Sequence, residues 1–271
     1  MIFETHCHIH SLAQFDVSDP QLTGADILSR ARESGVGTVV VIGTDPEDWD
    51  TALAFAEAHD DVFAALAWHP NSTAEYRPGE IRRLQQALLH PKAIAVGETG
   101  LDLHWKSATL EQQSAALQDH LDLAASLSLP VIFHARDATP QLLDVLEPQP
   151  RRPYLFHCFS GDAADAARLD RLGGYIGIGG PLTYRKNEVL REIAQTYPRD
   201  RIVVETDSPY LSPEPVRGKP NEPANLTHIL RRLSDLWDVT QAEAATITAE
   251  NARRFFGLSG PVAAPDASAN D

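Results

Sequence analysis

Short β-branched and apolar runs alternate along the chain with longer amphipathic stretches. The runs at 1–5, 38–42, 62–68, 93–98, 130–134, 154–157, 174–178 and 201–207 predict strands. Between them, apolar residues recur at helical spacing. Ile27, Leu28 and Ala31 share a face of the stretch 25–34, and Leu117, Leu121, Ala124 and Ala125 share a face of 110–129. Pro91, Pro130 and Pro153 stand just before strands, where a preceding helix must have ended. Eight strands, each followed by a helical stretch, predict an α/β fold of the (β/α)8 TIM-barrel type over residues 1–258. Two further amphipathic segments, 225–237 and 241–256, follow the last strand. The remainder, 259–271, is rich in Ala, Pro, Ser, Asn and Asp and predicts a flexible, solvated tail without chemistry.

Composition narrows the function. The chain has 271 residues, 43% hydrophobic and 23% charged, which is ordinary for a folded protein and excludes wholesale disorder. Its 23 basic and 38 acidic residues give a formal charge of −15, which argues against coating nucleic acid through a broad basic surface. That charge leaves room for a small site that grips phosphates through metal ions. No apolar run approaches the roughly 20 residues of a membrane span, and the start carries no leader pattern. Two cysteines make no disulfide framework. The expectation is a cytoplasmic protein with no membrane association and no obligate protein partner.

In a barrel of this type, active residues sit where strands end at their C-terminal side. His6 and His8 close the first predicted strand, and His69 closes the third. Glu98 closes the fourth, His134 the fifth, His157 the sixth and Asp207 the eighth. Imidazole and carboxylate are ligands for zinc, manganese and similar divalent ions. Residues i and i+2 of a strand face one way, so His6 and His8 can converge on one ion while Cys7 points away. Cys7 and Cys158 form no Cys-x-x-Cys and read as small buried thiols. Glu205 reads as a hydrogen-bond partner inside the barrel rather than a ligand. His69 either contacts substrate or only orders its loop. Arg136 either grips a phosphate or pairs with Asp137, and Arg217 and Lys219, in the loop after the last strand, carry the same alternatives. Trp68, Trp105 and Tyr210 either stack on bases or pack. His59, His90, His120 and His228 lie in helical segments, where nothing catalytic is expected.

Several of these residues stand in longer motifs. Thr5-His6-Cys7-His8, Gly97-Glu98-Thr99-Gly100-Leu101-Asp102, His134-Ala135-Arg136-Asp137-Ala138 and His157-Cys158-Phe159-Ser160-Gly161 come in this order. Glu205-Thr206-Asp207-Ser208-Pro209-Tyr210-Leu211, Arg217-Gly218-Lys219-Pro220-Asn221-Glu222-Pro223 and Asn251-Ala252-Arg253-Arg254-Phe255-Phe256 follow. The series resembles the TatD family of metal-dependent deoxyribonucleases over about residues 1–258. That family is a TIM-barrel branch of the amidohydrolase superfamily whose members hydrolyse DNA phosphodiesters with divalent metals.

The resemblance implies His6, His8, Glu98, His134, His157 and Asp207 as ligands of two divalent ions, with zinc, manganese and magnesium all open. Glu98 would bridge them, with His6, His8 and Asp207 on one ion and His134 and His157 on the other. Asp207 is the candidate general base, and Glu98 is the second candidate catalytic carboxylate. His69, Arg136, Arg217, Lys219 and Tyr210 are the candidate substrate contacts. The implied substrate is DNA, held locally through the metals and cut from the 3′ end of single-stranded or frayed ends. The family usually carries Asp where Glu4 and His10 stand, and Gly at the position of Ala67. These departures bear on substrate and metal preference more than on the hydrolytic centre. Two other readings share the residues. A small-molecule amidohydrolase or lactonase would use the same metal site, although the carboxylated-lysine subclass is excluded by Glu98. A catalytically silent binding protein would show eroded ligands, and every expected ligand is present.

Overall fold

The alternating pattern resolves into parallel strands whose helices return the chain to the same edge. A computed structural model describes residues 1–11 and 21–258; the predicted tail lies outside the described residues. The strands are β1 (Ile2–Cys7), β2 (Val36–Gly43), β3 (Val62–Leu66), β4 (Ala93–Asp102), β5 (Val131–Arg136), β6 (Tyr154–Phe156), β7 (Tyr175–Ile178) and β8 (Ile202–Val204). They form one eight-stranded sheet in sequence order. It closes where Cys7 bridges Ser208 in parallel. The helices are α1 (Gly24–Glu33), α2 (Pro46–Glu57), α3 (Ile81–Leu88), α4 (Leu110–Leu127), α5 (Thr139–Leu146), α6 (Ala163–Arg171), α7 (Glu188–Thr196), α8 (Leu226–Trp237) and α9 (Gln241–Phe256). The predicted (β/α)8 TIM barrel is therefore the observed architecture. Among the described residues no helix is long and apolar enough to cross a membrane.

Most strand ends fall within two residues of the predicted runs, and two differ by more. β4 continues past Glu98 to Asp102, and β8 stops at Val204, before Asp207. Asp207 has φ 58°, in the left-handed region that a strand cannot accommodate. The extension of β4 depends on Gly100, whose φ of 142° is closed to other residues. A Cβ there would run into the carbonyl oxygen of His134 on β5. β1 also departs from strict alternation. Phe3 belongs to the apolar cluster inside the barrel, and His6 faces the mouth. Residues three apart on a regular strand face opposite ways; a register shift between Glu4 and Cys7 supplies the slip.

The core lies in two shells. The larger packs the strands against the surrounding helices and includes Leu28, Trp49, Leu117, Leu142 and Leu230. The smaller fills the lower barrel with Phe3, Val40, Ile42, Ile132, Leu155 and Val203, and α9 closes it from below. Phe256 stacks on Phe3 at 5.7 Å, and Phe255 packs on Tyr175 at 5.2 Å. With its floor sealed by apolar side chains, the barrel offers polar chemistry only at the opposite mouth.

Candidate active site

Glu98 stands at the centre of the mouth, 3% exposed. Its Oε1 lies 2.7 Å from His134 Nδ1, 3.1 Å from His157 Nε2 and 3.7 Å from His69 Nε2, while Oε2 lies 3.3 Å from His6 Nε2. Beside it, Asp207 Oδ1 is 3.5 Å from His8 Nε2 and 3.7 Å from His6 Nε2. All six residues predicted as ligands thus converge, although they come from five strands or the loops that follow them. The grouping differs from the expected pairing. His6, His8 and Asp207 form one set, as anticipated, but Glu98 groups with His6 and His157 in a second and with His69 and His134 in a third.

The electrostatics follow from this crowding. Burial works to raise the Glu98 carboxyl, but the imidazoles of His157, His6 and His69 outweigh it and hold the group well below the usual carboxylate range. Burial likewise opposes ionisation of Asp207, and a bond from His8 with the charges of His157 and His6 brings it down. His157 moves the other way: burial lowers it, and Glu98 and Glu205 lift it well above the ordinary histidine value. Burial and the neighbouring His157 depress His6. Both ring nitrogens of His6 are buried without a hydrogen-bond partner. An imidazole left so, facing two carboxylates, fits a divalent cation as its missing partner, and the nitrogen and oxygen donor set suits one.

Behind the inner ring stands an outer one. Asp102 Oδ2 accepts from His134 Nε2 at 2.9 Å and from the Asn71 side-chain amide at 3.0 Å. Its Oδ1 accepts the backbone N–H groups of His104 and Trp105, both at 2.9 Å. Gln113, just inside α4, grips both backbone groups of Asp102, at 2.7 and 3.0 Å. Glu205 Oε1 lies 3.4 Å from His157 Nδ1 and accepts the N–H of Cys158. His8 Nδ1 bonds the carbonyl of Ile42 at 3.2 Å. Carboxylates and carbonyls in such positions fix which imidazole nitrogen faces inward. Burial drives both thiols upward, so neither Cys7 nor Cys158 is a ready thiolate.

Above this ring opens a cavity of about 950 Å³. Trp105, Arg136, Phe159, Tyr210 and His69 line it. Trp105 and Tyr210 are 53% and 47% exposed, and the Arg136 guanidinium lies 5.5 Å over the Trp105 ring. Arg136 is not paired with Asp137, whose carboxylate meets His104 at 3.1 Å. Arg217 and Lys219 are exposed and stand outside this lining, with Arg217 4.1 Å over Tyr184. Trp68 is no stacking platform: it is 5% exposed and packs edge-on against Trp49 and Tyr76.

Comparison with known proteins decides the lineage. The family description "TatD related DNase" matches residues 3–257. The chain belongs to this family. It is 32% identical to the metal-dependent hydrolase YabD of Bacillus subtilis (strain 168) over 260 residues, 95% of this chain and 100% of that one. It is 35% identical to the 3′-5′ ssDNA/RNA exonuclease TatD of Erwinia tasmaniensis over 240 residues, 86% of this chain and 93% of that one. The crystal structure of YJJV, a TatD homologue from Escherichia coli K12, superposes with a TM-score of 0.86 at 32% identity, covering 95% of this chain and 98% of that one. As a TatD-family member the chain is a metal-dependent hydrolase.

Within this TatD-family frame the two departures near His8 find local partners. Glu4 is fully buried and accepts from the N–H of His6 at 3.1 Å and from Thr206 N and Oγ1 at 2.9 and 2.6 Å. It ties β1 to the segment after β8. His10 Nε2 meets Asp48 Oδ1 at 2.9 Å, at the start of α2. Asp102 and Asn71 are the site residues that sequence reasoning missed. Asp102 carried a usable signal, since it stands four residues past Glu98 in an extended run. Asn71 carried none.

Proposed function

We propose that the chain is a 3′→5′ exonuclease acting on single-stranded nucleic acid, with two divalent ions, zinc, manganese or magnesium, at the barrel mouth. The observation that carries this reading is the single Glu98 carboxylate within 3.7 Å of four imidazoles, at the base of an open cavity with aromatic walls. His6, His8 and Asp207 would hold one ion, Glu98 with His134 and His157 the other. Bound there, such ions supply Lewis acidity toward a phosphoryl oxygen and neutralise its charge.

The remaining work belongs to side chains of this chain. Asp207 offers a carboxylate oxygen to accept the proton of the attacking water. Trp105 and Tyr210 supply flat faces on which any base can stack, which suits a substrate read without regard to sequence. Arg136, held 5.5 Å over the Trp105 ring, would pair with the phosphate backbone of a strand stacked there. Arg217 and Lys219 stand outside the cavity and are given no contact with the scissile phosphate.

The test uses single-stranded DNA and RNA labelled at either end, with Mg²⁺ or Mn²⁺, and compares the protein with Glu98→Ala and Asp207→Ala. A 5′-labelled strand should shorten stepwise, and each variant should lose at least about a hundredfold in rate. Undiminished cleavage in both variants would remove the site assignment. Internal cuts, or shortening from the 5′ end, would remove the polarity.

A further inference from the structure

His69 stands among the donors around Glu98 and is close enough to serve as another ligand. Its hydrogen bonds argue otherwise. His69 caps the short turn Pro70–Ser72, and its Nδ1 accepts the backbone N–H of Asn71 at 3.1 Å. Pro70 at the first position of that turn presets the backbone, so the Asn71 N–H is directed at the ring. A neutral imidazole has one donor and one acceptor nitrogen. With Nδ1 accepting, Nε2 carries the hydrogen, and Nε2 is the nitrogen that faces Glu98.

His134, edge-on to His69 with ring centroids 4.5 Å apart, is set the opposite way. Asp102 accepts from His134 Nε2 at 2.9 Å, and Nδ1 faces Glu98 at 2.7 Å, so Nδ1 is the nitrogen whose lone pair a cation between them would take. Asn71 takes part in both settings. Its backbone N–H fixes His69 and its side-chain amide holds the Asp102 oxygen that fixes His134. His134 thus turns Nδ1 to the centre with Nε2 held by a carboxylate, whereas His69 turns Nε2 there with Nδ1 already accepting a backbone N–H.

We propose that His69 is not a metal ligand but a neutral Nε2–H donor to a phosphoryl oxygen of the substrate, oriented by Asn71 as a positioning residue. The phosphoryl part rests on the nuclease reading above; the donor part does not.

Two measurements test it on the full chain loaded with zinc. A long-range ¹H–¹⁵N spectrum of histidine-labelled protein should show His69 protonated at Nε2 and unshifted by zinc, with His134 coordinated through Nδ1. A His69 coordinated through Nε2 would overturn the proposal. Zinc titration and dAMP binding then compare the protein with His69→Ala and His69→Gln. Zinc content and affinity should hold within about twofold in both variants, while dAMP binding should weaken roughly tenfold or more in His69→Ala and recover in part in His69→Gln, which restores an N–H. Loss of an ion in His69→Ala, or undiminished dAMP binding, would overturn the proposal. If the unsubstituted protein takes up zinc but fails to bind dAMP, the nuclease reading is what fails, and the spectrum still decides between donor and ligand.

Discussion

Trp68 donates its backbone N–H to Nε2 of His120 at 3.0 Å, while His120 Nδ1 donates to the carbonyl of Ala116 at 2.6 Å. The imidazole is fully buried and satisfied only when neutral, because protonating Nε2 would set two N–H groups against each other. Burial lowers its pKa from 6.5 to about 4. The unfolded chain therefore binds this proton first as pH falls, so the stability contributed by His120 should hold above pH 6.5 and decline between about 6.5 and 4. The full loss is about 3 kcal/mol. Urea denaturation at a series of pH values should show His120→Gln less stable at pH 7 and the gap between the two proteins narrowing by this amount from pH 6.5 to 4.

Glu205 backs His157 as Asp102 backs His134. Glu205→Gln preserves shape but removes the charge facing His157 Nδ1 at 3.4 Å. Metal affinity should fall about 10- to 100-fold with the barrel intact, as read by chelator competition and circular dichroism. Unchanged affinity would reduce Glu205 to a contact of Cys158 alone.

Trp105→Ala should weaken single-strand binding about 5- to 150-fold, the range for losing one stacked base. The effect should appear mainly in KM. Arg217→Ala, outside the cavity, should change KM by less than about twofold. Equal effects from both substitutions would move the strand path to the loop that carries Arg217.

With a formal charge of −15, the protein has little to attract a polyanion except at the mouth. Removing divalent ions with excess chelator should weaken oligonucleotide binding about tenfold or more, and re-addition should restore it. Tight binding by the stripped protein would mean that Arg136 and its neighbours hold the strand unaided.

Gly100→Ala places a Cβ against the His134 carbonyl at a φ reserved for glycine. The backbone conformation alone costs about 1–3 kcal/mol. Thermal melting should register that loss, and metal affinity should fall with it, because β4 and β5 carry Glu98 and His134 in adjacent register.

The barrel was legible because its strands are short apolar runs separated by Pro and by periodic helices, and the ligand residues because they stand where those runs end. Ambiguity remained wherever a side chain can face two ways. Trp68 reads equally as a platform or as packing until Trp49 and Tyr76 are seen to enclose it. The end of β8 was misplaced because Asp207 resembles a strand residue in the sequence while its backbone turns left-handed. Asn71 joins two histidines across 31 residues of chain, from itself to Asp102, and no local pattern encodes a meeting at that range. The expected sets, His6, His8 and Asp207 against His134 and His157 with Glu98 between them, were coarser than the geometry, in which His6 reaches both carboxylates.

The stacking of Phe256 on Phe3 also bears on how the molecule is made. A ribosome that has released β8 has synthesised every strand, yet the ring of Phe3 still lacks the helix that covers it. The apolar floor stays open to water until α9 emerges, so the last turns of synthesis close what the first strand began. A product cut short before α9 would hold all six proposed ligand residues and still expose a hydrophobic hole beneath them. Such a fragment should be found with chaperones or in aggregates rather than as a weakened enzyme.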